Sequence, residues 1–213
     1  MNSFKKNIYR TASEDIILCP DCVAHDVQIG TQIWTGCNAT LSVYRNGDTI
    51  PQVSDPTAWS TLTTGAWCHY NNDPANDAIY GKLYNWYAIN DARELAPTGY
   101  HIPEDTEFTT LVTYLGGSSV AGGKMKETGL CHWVTPNIDA TNTSLFTALP
   151  GGARSNAGNY GSIGAEGYWW SSTKVAGGGY AWYLRLNNGV GASTITTGIN
   201  EFGRSVRFIK DLP

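Results

Sequence analysis

The sequence predicts an α+β domain: two helices, then short twisted antiparallel strands, joined by long structured loops. Three observations point there. Charged residues make up 15% of the 213-residue chain, aromatics 12%, and glycine occurs 24 times. An average globular protein carries roughly 25% charged residues, so hydrogen-bonding loops and aromatic burial stand in for charged helices. Helical periodicity is confined to two windows in the first half, and beyond them the chain breaks into short apolar–polar alternations.

Residues 1–25 read as an N-terminal arm, where Tyr9, Ile16, Ile17 and Leu18 could dock but no helical period is sustained. The main domain runs from 26 to 213. "VQIGTQIW" (27–34) alternates as a strand pair about a glycine turn, and "NGDTIP" and "VSDP" are turn punctuation. "YGKLYNWYAINDARELAP" (80–97) predicts the first helix, from Leu83, Trp86, Tyr87 and Asn90 at helical spacing with Pro97 at its end. "PEDTEFTTLVTYLGG" (103–117) predicts the second. Asp105 or Thr106 caps it, Phe108, Leu111, Val112 and Leu115 form one face, and Gly116–Gly117 stop it. Strand-like segments follow: "FTALPGG", "YWWSST", "YAWYLRL", "TITTGI" and "SVRFIKD". No internal repeat is detectable.

The net charge of -4 gives no electrostatic footprint for nucleic acid. No window approaches the ~18 apolar residues of a membrane span. The first residues lack the apolar core of a secretory signal, so the expectation is a protein that works where it is made, or one whose signal has been removed.

Five cysteines are an odd number and poorly spaced for a disulfide framework; free thiols or one disulfide are expected. Cys19 and Cys22 form a CxxC, the one candidate metal site. It is half a structural zinc site, which Cys37 or the Cys68–His69 pair could complete. A redox role would need a helix after the CxxC, whereas "CPDCVAHDVQIG" reads as extended chain.

Adjacent Trp169 and Trp170 in a strand point to opposite faces, which predicts one in the core and one at the surface. In "YAWYLRL", Trp182, Leu184 and Leu186 share the face expected to be buried, and Tyr183 and Arg185 share the outward one. Tyr and Arg are frequent binding hot spots. The following "NNGVGASTITTGIN" combines small hydrogen-bonding residues in the manner of an antibody paratope. The candidate ligand residues are therefore Tyr183, Arg185, Asn187, Asn188, Ser193, Thr196 and Asn200. No catalytic residue is assigned. Ser171, Ser172, His101, His132, Asp139 and Arg154 could form a triad on paper, but no GxSxG elbow presents a nucleophile. His69 and His132 read as packing residues beside aromatic or cysteine neighbours.

Seven collinear motifs carry a resemblance: "YRNGDTIPQVSD", "YGKLYNWYAIND", "LAPTGYHIPEDTEFTTLVTYLGG", "AGGKMKETG", "FTALPGG", "GYWWSST" and "SVRFIKD". In this order they resemble the Fibrobacter succinogenes major paralogous domain, from about Val27 to Asp211. That resemblance implies a C-type-lectin-like fold related to the formylglycine-generating enzymes, with its N- and C-terminal strands paired. It does not carry over their activity, whose copper-binding cysteines lie late in the chain, whereas the last cysteine here is Cys131. The calcium motifs of sugar-binding C-type lectins are missing too. Glu104, Asp105 and Glu107 could offer calcium ligands, but their natural task at a helix start is capping. The expectation is a non-enzymatic recognition or adhesion module, needing no cofactor, on a phage virion as a fibre, tail or head decoration. Residues 1–25 would dock other virion or envelope proteins, and the late loops would bind a host-surface glycan or protein. The alternatives are a purely structural virion or cell-envelope decoration, a bacterial cell-surface location, and a degenerate relative of the formylglycine-generating enzymes. No heptad pattern specifies a homo-oligomer.

Overall fold

The computed structural model describes residues 8–10, 16–18 and 25–212. The CxxC of Cys19 and Cys22, and most of the arm, lie outside the described residues. In chain order the elements are β1 (Ile8–Arg10), β2 (Ile16–Leu18), β3 (Asp26–Ile29), β4 (Gln32–Thr35), α1 (Pro56–Ser60), β5 (Trp67–Cys68), α2 (Asp77–Tyr80), β6 (Leu83–Tyr84), α3 (Trp86–Ile89) and β7 (Tyr100–His101). They continue with α4 (Asp105–Tyr114), α5 (Ser118–Met125), β8 (Gly151–Arg154), β9 (Tyr160–Ile163), β10 (Glu166–Lys174), β11 (Tyr180–Asn187), β12 (Ser193–Ile199) and β13 (Ile209–Lys210).

Every ladder between these strands is antiparallel. One sheet runs β3-β4-β13-β7, so the last strand closes against the first strands of the domain, Ile209 opposite Trp34. The second sheet is β10-β11-β12, and β1-β2, β5-β6 and β8-β9 are two-stranded. Short antiparallel strands with few helices make this an α+β architecture, as the residue patterning predicts.

The predicted helix over 80–97 does not form. Leu83–Tyr84 is a strand against Trp67–Cys68, and only the single turn Trp86–Ile89 is helical, started by the Asn85 side chain, which accepts from the Ala88 N–H. Leu83 and Trp86 are buried in different clusters, so their spacing reflects burial from several sides rather than one helix face. The second predicted helix is α4, burying Phe108, Leu111 and Val112. Its N-cap is Glu104 rather than Asp105 or Thr106, and the Glu104 N–H donates to the Glu107 carboxylate at 2.8 Å.

Trp169 and Trp170 do point to opposite faces, but both are fully buried. The β10–β12 sheet is covered on both sides, Trp169 packing with Trp34, Phe108 and Phe146, and Trp170 with Tyr84, Trp86 and Val206. Each indole N–H finds a partner, Asn38 Oδ1 at 2.8 Å for Trp169 and the Tyr84 carbonyl at 2.9 Å for Trp170. Trp182, expected in the core with Leu184 and Leu186, is only half-buried.

Residues 203–206 thread through the centre of the molecule. Single bridges tie Gly203 to Arg154, Arg204 to Tyr84 and Ser205 to Trp169, joining three sheets. The Arg204 backbone exchanges two hydrogen bonds with Tyr84, at 3.0 and 2.9 Å. This thread fixes the residue on which the candidate site depends.

Candidate functional site: a buried arginine in an aromatic cleft

Five cationic side chains are buried; Lys82 lies over the Trp67 ring at 3.8 Å, and three of the other four are satisfied in the same manner. Lys126 Nζ donates to the carbonyls of Ile138 (2.7 Å), Val190 (2.9 Å) and Asn187 (3.0 Å). Arg154 donates to the carbonyls of Gly158 (3.1 Å), Val53 (2.5 Å) and Ser54 (2.8 Å). Arg207 donates to Asn38 Oδ1 (3.1 Å) and to the carbonyls of Phe146 and Thr147. Burial lowers the pKa of Lys126 to about 8, with the Asp139 charge opposing, and that of Arg207 to about 9.

Arg204 is the exception. It is 4% exposed, yet its Nε and Nη1 are buried with no hydrogen-bond partner, and it makes no ion pair among the described residues. Its neighbours are ring faces. The guanidinium carbon lies 3.6 Å from the Tyr183 centroid, 4.1 Å from Trp170, 5.0 Å from Phe202 and 5.8 Å from Tyr168. The seat exists because residue 198 is glycine. A Cβ there would fall 2.5 Å from Arg204 Nη2 and 2.6 Å from Nη1. Burial lowers the Arg204 pKa to about 10, partly offset by Tyr183 and Tyr168, so the group stays cationic at neutral pH.

Arg204 forms one wall of a cleft of about 400 Å³, which Tyr160, Tyr168, Tyr183 and Phe202 line with rings and Asn159 and Ser162 with polar groups. A larger cleft of about 520 Å³ beside α4 is lined by Arg45, Asp91, Glu94, His101, Glu104 and Glu107. Its charges already satisfy one another, Arg45 with Glu94 and His101 with Glu107. Arg93, just outside it, closes on Asp91. The smaller cleft is therefore the better binding candidate of the two, because Arg204 in its wall has no counter-charge among the described residues.

The residues nominated from sequence divide. Tyr183 lies on the cleft wall beneath Arg204, with Thr196 opposite it on β12. Arg185 is on the same sheet face but is held by Glu166, which also accepts from Tyr168 and, at 3.0 Å, from Asn187. Burial alone would raise the Glu166 pKa, but these donors bring it down to about 2. Asn187 caps its own turn through Gly189 N–H at 2.7 Å, and Asn188 donates to the carbonyls of Val134 and Thr135. Ser193 and Asn200 are buried. Asn187 and Asn188 thus make turn and loop contacts, and Ser193 and Asn200 lie in the interior.

Ser171, Ser172, His132 and Arg154 each sit in separate local contacts. Ser171 Oγ accepts from the Thr173 N–H, Ser172 Oγ donates to the Ile102 carbonyl, and His132 pairs with Glu127. His69 and His132 pack edge-on against Trp67 and Tyr80, as expected. Cys37 and Cys131 are each disulfide-bonded, which removes Cys37 as a thiolate ligand for zinc. Cys68 is a buried free thiol whose pKa burial raises. No group of three or more His, Cys, Asp or Glu among the described residues could hold a metal ion. No described helix is long and apolar enough to cross a membrane.

This small aromatic-cored α+β fold belongs to a recognisable group. The chain matches the Fibrobacter succinogenes major domain over residues 27–210 and is a member of that family. No curated protein and no solved structure matches it.

Proposed function

We propose that this chain is a non-enzymatic recognition module of C-type-lectin-like fold that binds a host-surface glycan. It works as part of a larger assembly, foremost a phage virion, as a fibre, tail or head decoration. The observation that carries this reading is Arg204: a cation with no counter-charge among the described residues, held on the central thread of residues 203–206 at the wall of a cleft of ligand size. Small-molecule sites are mostly apolar clefts of roughly 300–1,000 Å³ with a few fixed polar groups. The cleft of about 400 Å³ has that composition, tyrosines and a phenylalanine around one guanidinium. The disulfide-bonded Cys37 and Cys131 favour a working place outside the reducing cytoplasm, as on a released particle or a bacterial surface.

The direct test applies the purified protein to arrayed bacterial-surface glycans and to intact bacterial cells. Saturable binding that free glycan competes away is the expected result. No binding to either would sink the recognition reading.

A second reading, an architectural decoration, has one observation behind it. Val134, Ile138 and Val190 are exposed on adjoining loops, where the Ile138 N–H donates to the Asn188 carbonyl. That patch suits contact with a neighbouring subunit. Glycan binding by the isolated protein separates the two.

A further inference from the structure

The treatment of Lys126, Arg154 and Arg207 shows what is missing at Arg204. Lys126, Arg154 and Arg207 each donate three hydrogen bonds to carbonyl oxygens of the chain or, once, to an Asn side chain. The guanidinium of Arg204, a residue 4% exposed, makes no such bond, and its Nε and Nη1 are buried without a partner. Its ring contacts leave Nε and Nη1 without a hydrogen-bond acceptor. Arginine's fork of donors matches a carboxylate. Gly198 lets the guanidinium seat against the β12 backbone, since a Cβ there would fall 2.5 and 2.6 Å from its Nη atoms.

The rest of the cleft says what carries the carboxylate. Tyr160, Tyr168 and Phe202 offer ring surface, while Asn159 and Ser162 offer donors and acceptors for hydroxyl groups. A small carboxylate such as acetate would use the arginine alone. A hydroxylated ring bearing a carboxylate would use every wall.

We propose that this cleft binds an acidic sugar, a uronic acid unit, whose carboxylate pairs with Arg204 while its ring lies against the tyrosines. This rests on the recognition reading above and narrows it to one ligand class. The pairing places an anion beside a cation that has no counter-charge among the described residues. Arg204 is then a binding residue that the unliganded fold tolerates, unlike Arg154 and Arg207, which hold loops in place.

The test is a titration of the whole chain with glucuronate, glucose and acetate, read by intrinsic tryptophan fluorescence or calorimetry. Glucuronate should bind at least about tenfold more tightly than either of the others, the scale of one charge-assisted contact. Equal affinity for glucose would overturn the charge assignment and leave glycan recognition standing. Acetate matching glucuronate would overturn the sugar assignment, and no response to glucuronate would overturn the proposal outright. Arg204→Met supplies an independent readout. It should abolish glucuronate binding while leaving the melting temperature unchanged or raised, since it removes an unpaired buried charge. A melting temperature lowered as far as that of Arg207→Met would mean that Arg204 is a structural staple instead. The three titrations of the unaltered chain decide the ligand class even if a variant fails to fold.

Discussion

Replacing Lys126 with methionine should unpin the loops that border the late strands. Lys126 is fully buried, and its ammonium gathers three carbonyls, of Ile138, Asn187 and Val190, from two separate loops. Methionine fills nearly the same volume but leaves those oxygens without a donor. Each stranded acceptor costs about 1–3 kcal/mol, and the relief of desolvating the ammonium offsets part, so the net loss is about 2–4 kcal/mol. For a chain of this length that is a fall in melting temperature of roughly 5–15 °C. Scanning calorimetry measures the loss, and amide hydrogen exchange locates it. The Ile138 and Gly123 N–H groups, which donate to Asn188 and Gly191 at 2.8 Å, should exchange faster, while amides of β10 and β11 change only with global stability. A Lys126→Met protein within about 0.5 kcal/mol of the original, the ordinary range for surface changes, would refute the reasoning.

Three further outcomes are expected. Gly198→Ala should push the Arg204 guanidinium from its seat and weaken glucuronate binding, with a stability loss of about 1–3 kcal/mol, checked by titration and urea denaturation. Burial alone would lower the His101 pKa, but Asp211 Oδ1 at 2.6 Å and Glu107 at 2.9 Å outweigh it and raise the value above 6.5. The folded state therefore binds this proton more tightly, so the contribution is fully present below pH 6.5 and is lost as pH rises through the folded value; melting curves of the protein and of His101→Gln should converge over that range. Glu166 has the opposite sign: its contribution is present above pH 4.5 and is lost as pH falls toward about 2. Glu166→Gln should cost about 1–2 kcal/mol at neutral pH, discounted for the solvent exposure of Arg185, and denaturant titration reads it.

What was legible in the sequence follows from how local the deciding forces are. The α4 face of Phe108, Leu111 and Val112 packs on one side only, so its period survives in the sequence. The hairpin at 26–35 keeps its alternation and turn residues, and the strands β10–β12, though covered on both faces, are legible as short aromatic-rich runs between glycines. Residues 83–89 are buried on several sides, and a helical spacing arises there without a helix. Helix α5 carries Gly122 and Gly123, poor helix formers, and the sequence does not predict it. Both are required because the backbones of Ala192 and Asp139 come within 2.2 and 2.3 Å of where a Cβ would stand. The ligand face was only half legible. Tyr183 was nominated for its residue type and does line the cleft, but Arg204 carries no local signal. It sits three residues before Arg207 in the same "GRSVRF" stretch, and only tertiary contacts make one a staple and leave the other unpaired.

The central claim is that the Arg204 cleft holds the ligand, and amide chemical-shift mapping of the labelled protein during a glucuronate titration tests it most directly. The account predicts the largest shifts at Ser162, Tyr183, Phe202 and Arg204, growing together along one binding curve. Shifts confined to the Asn187–Val190 turn, or none at saturating sugar, would contradict it.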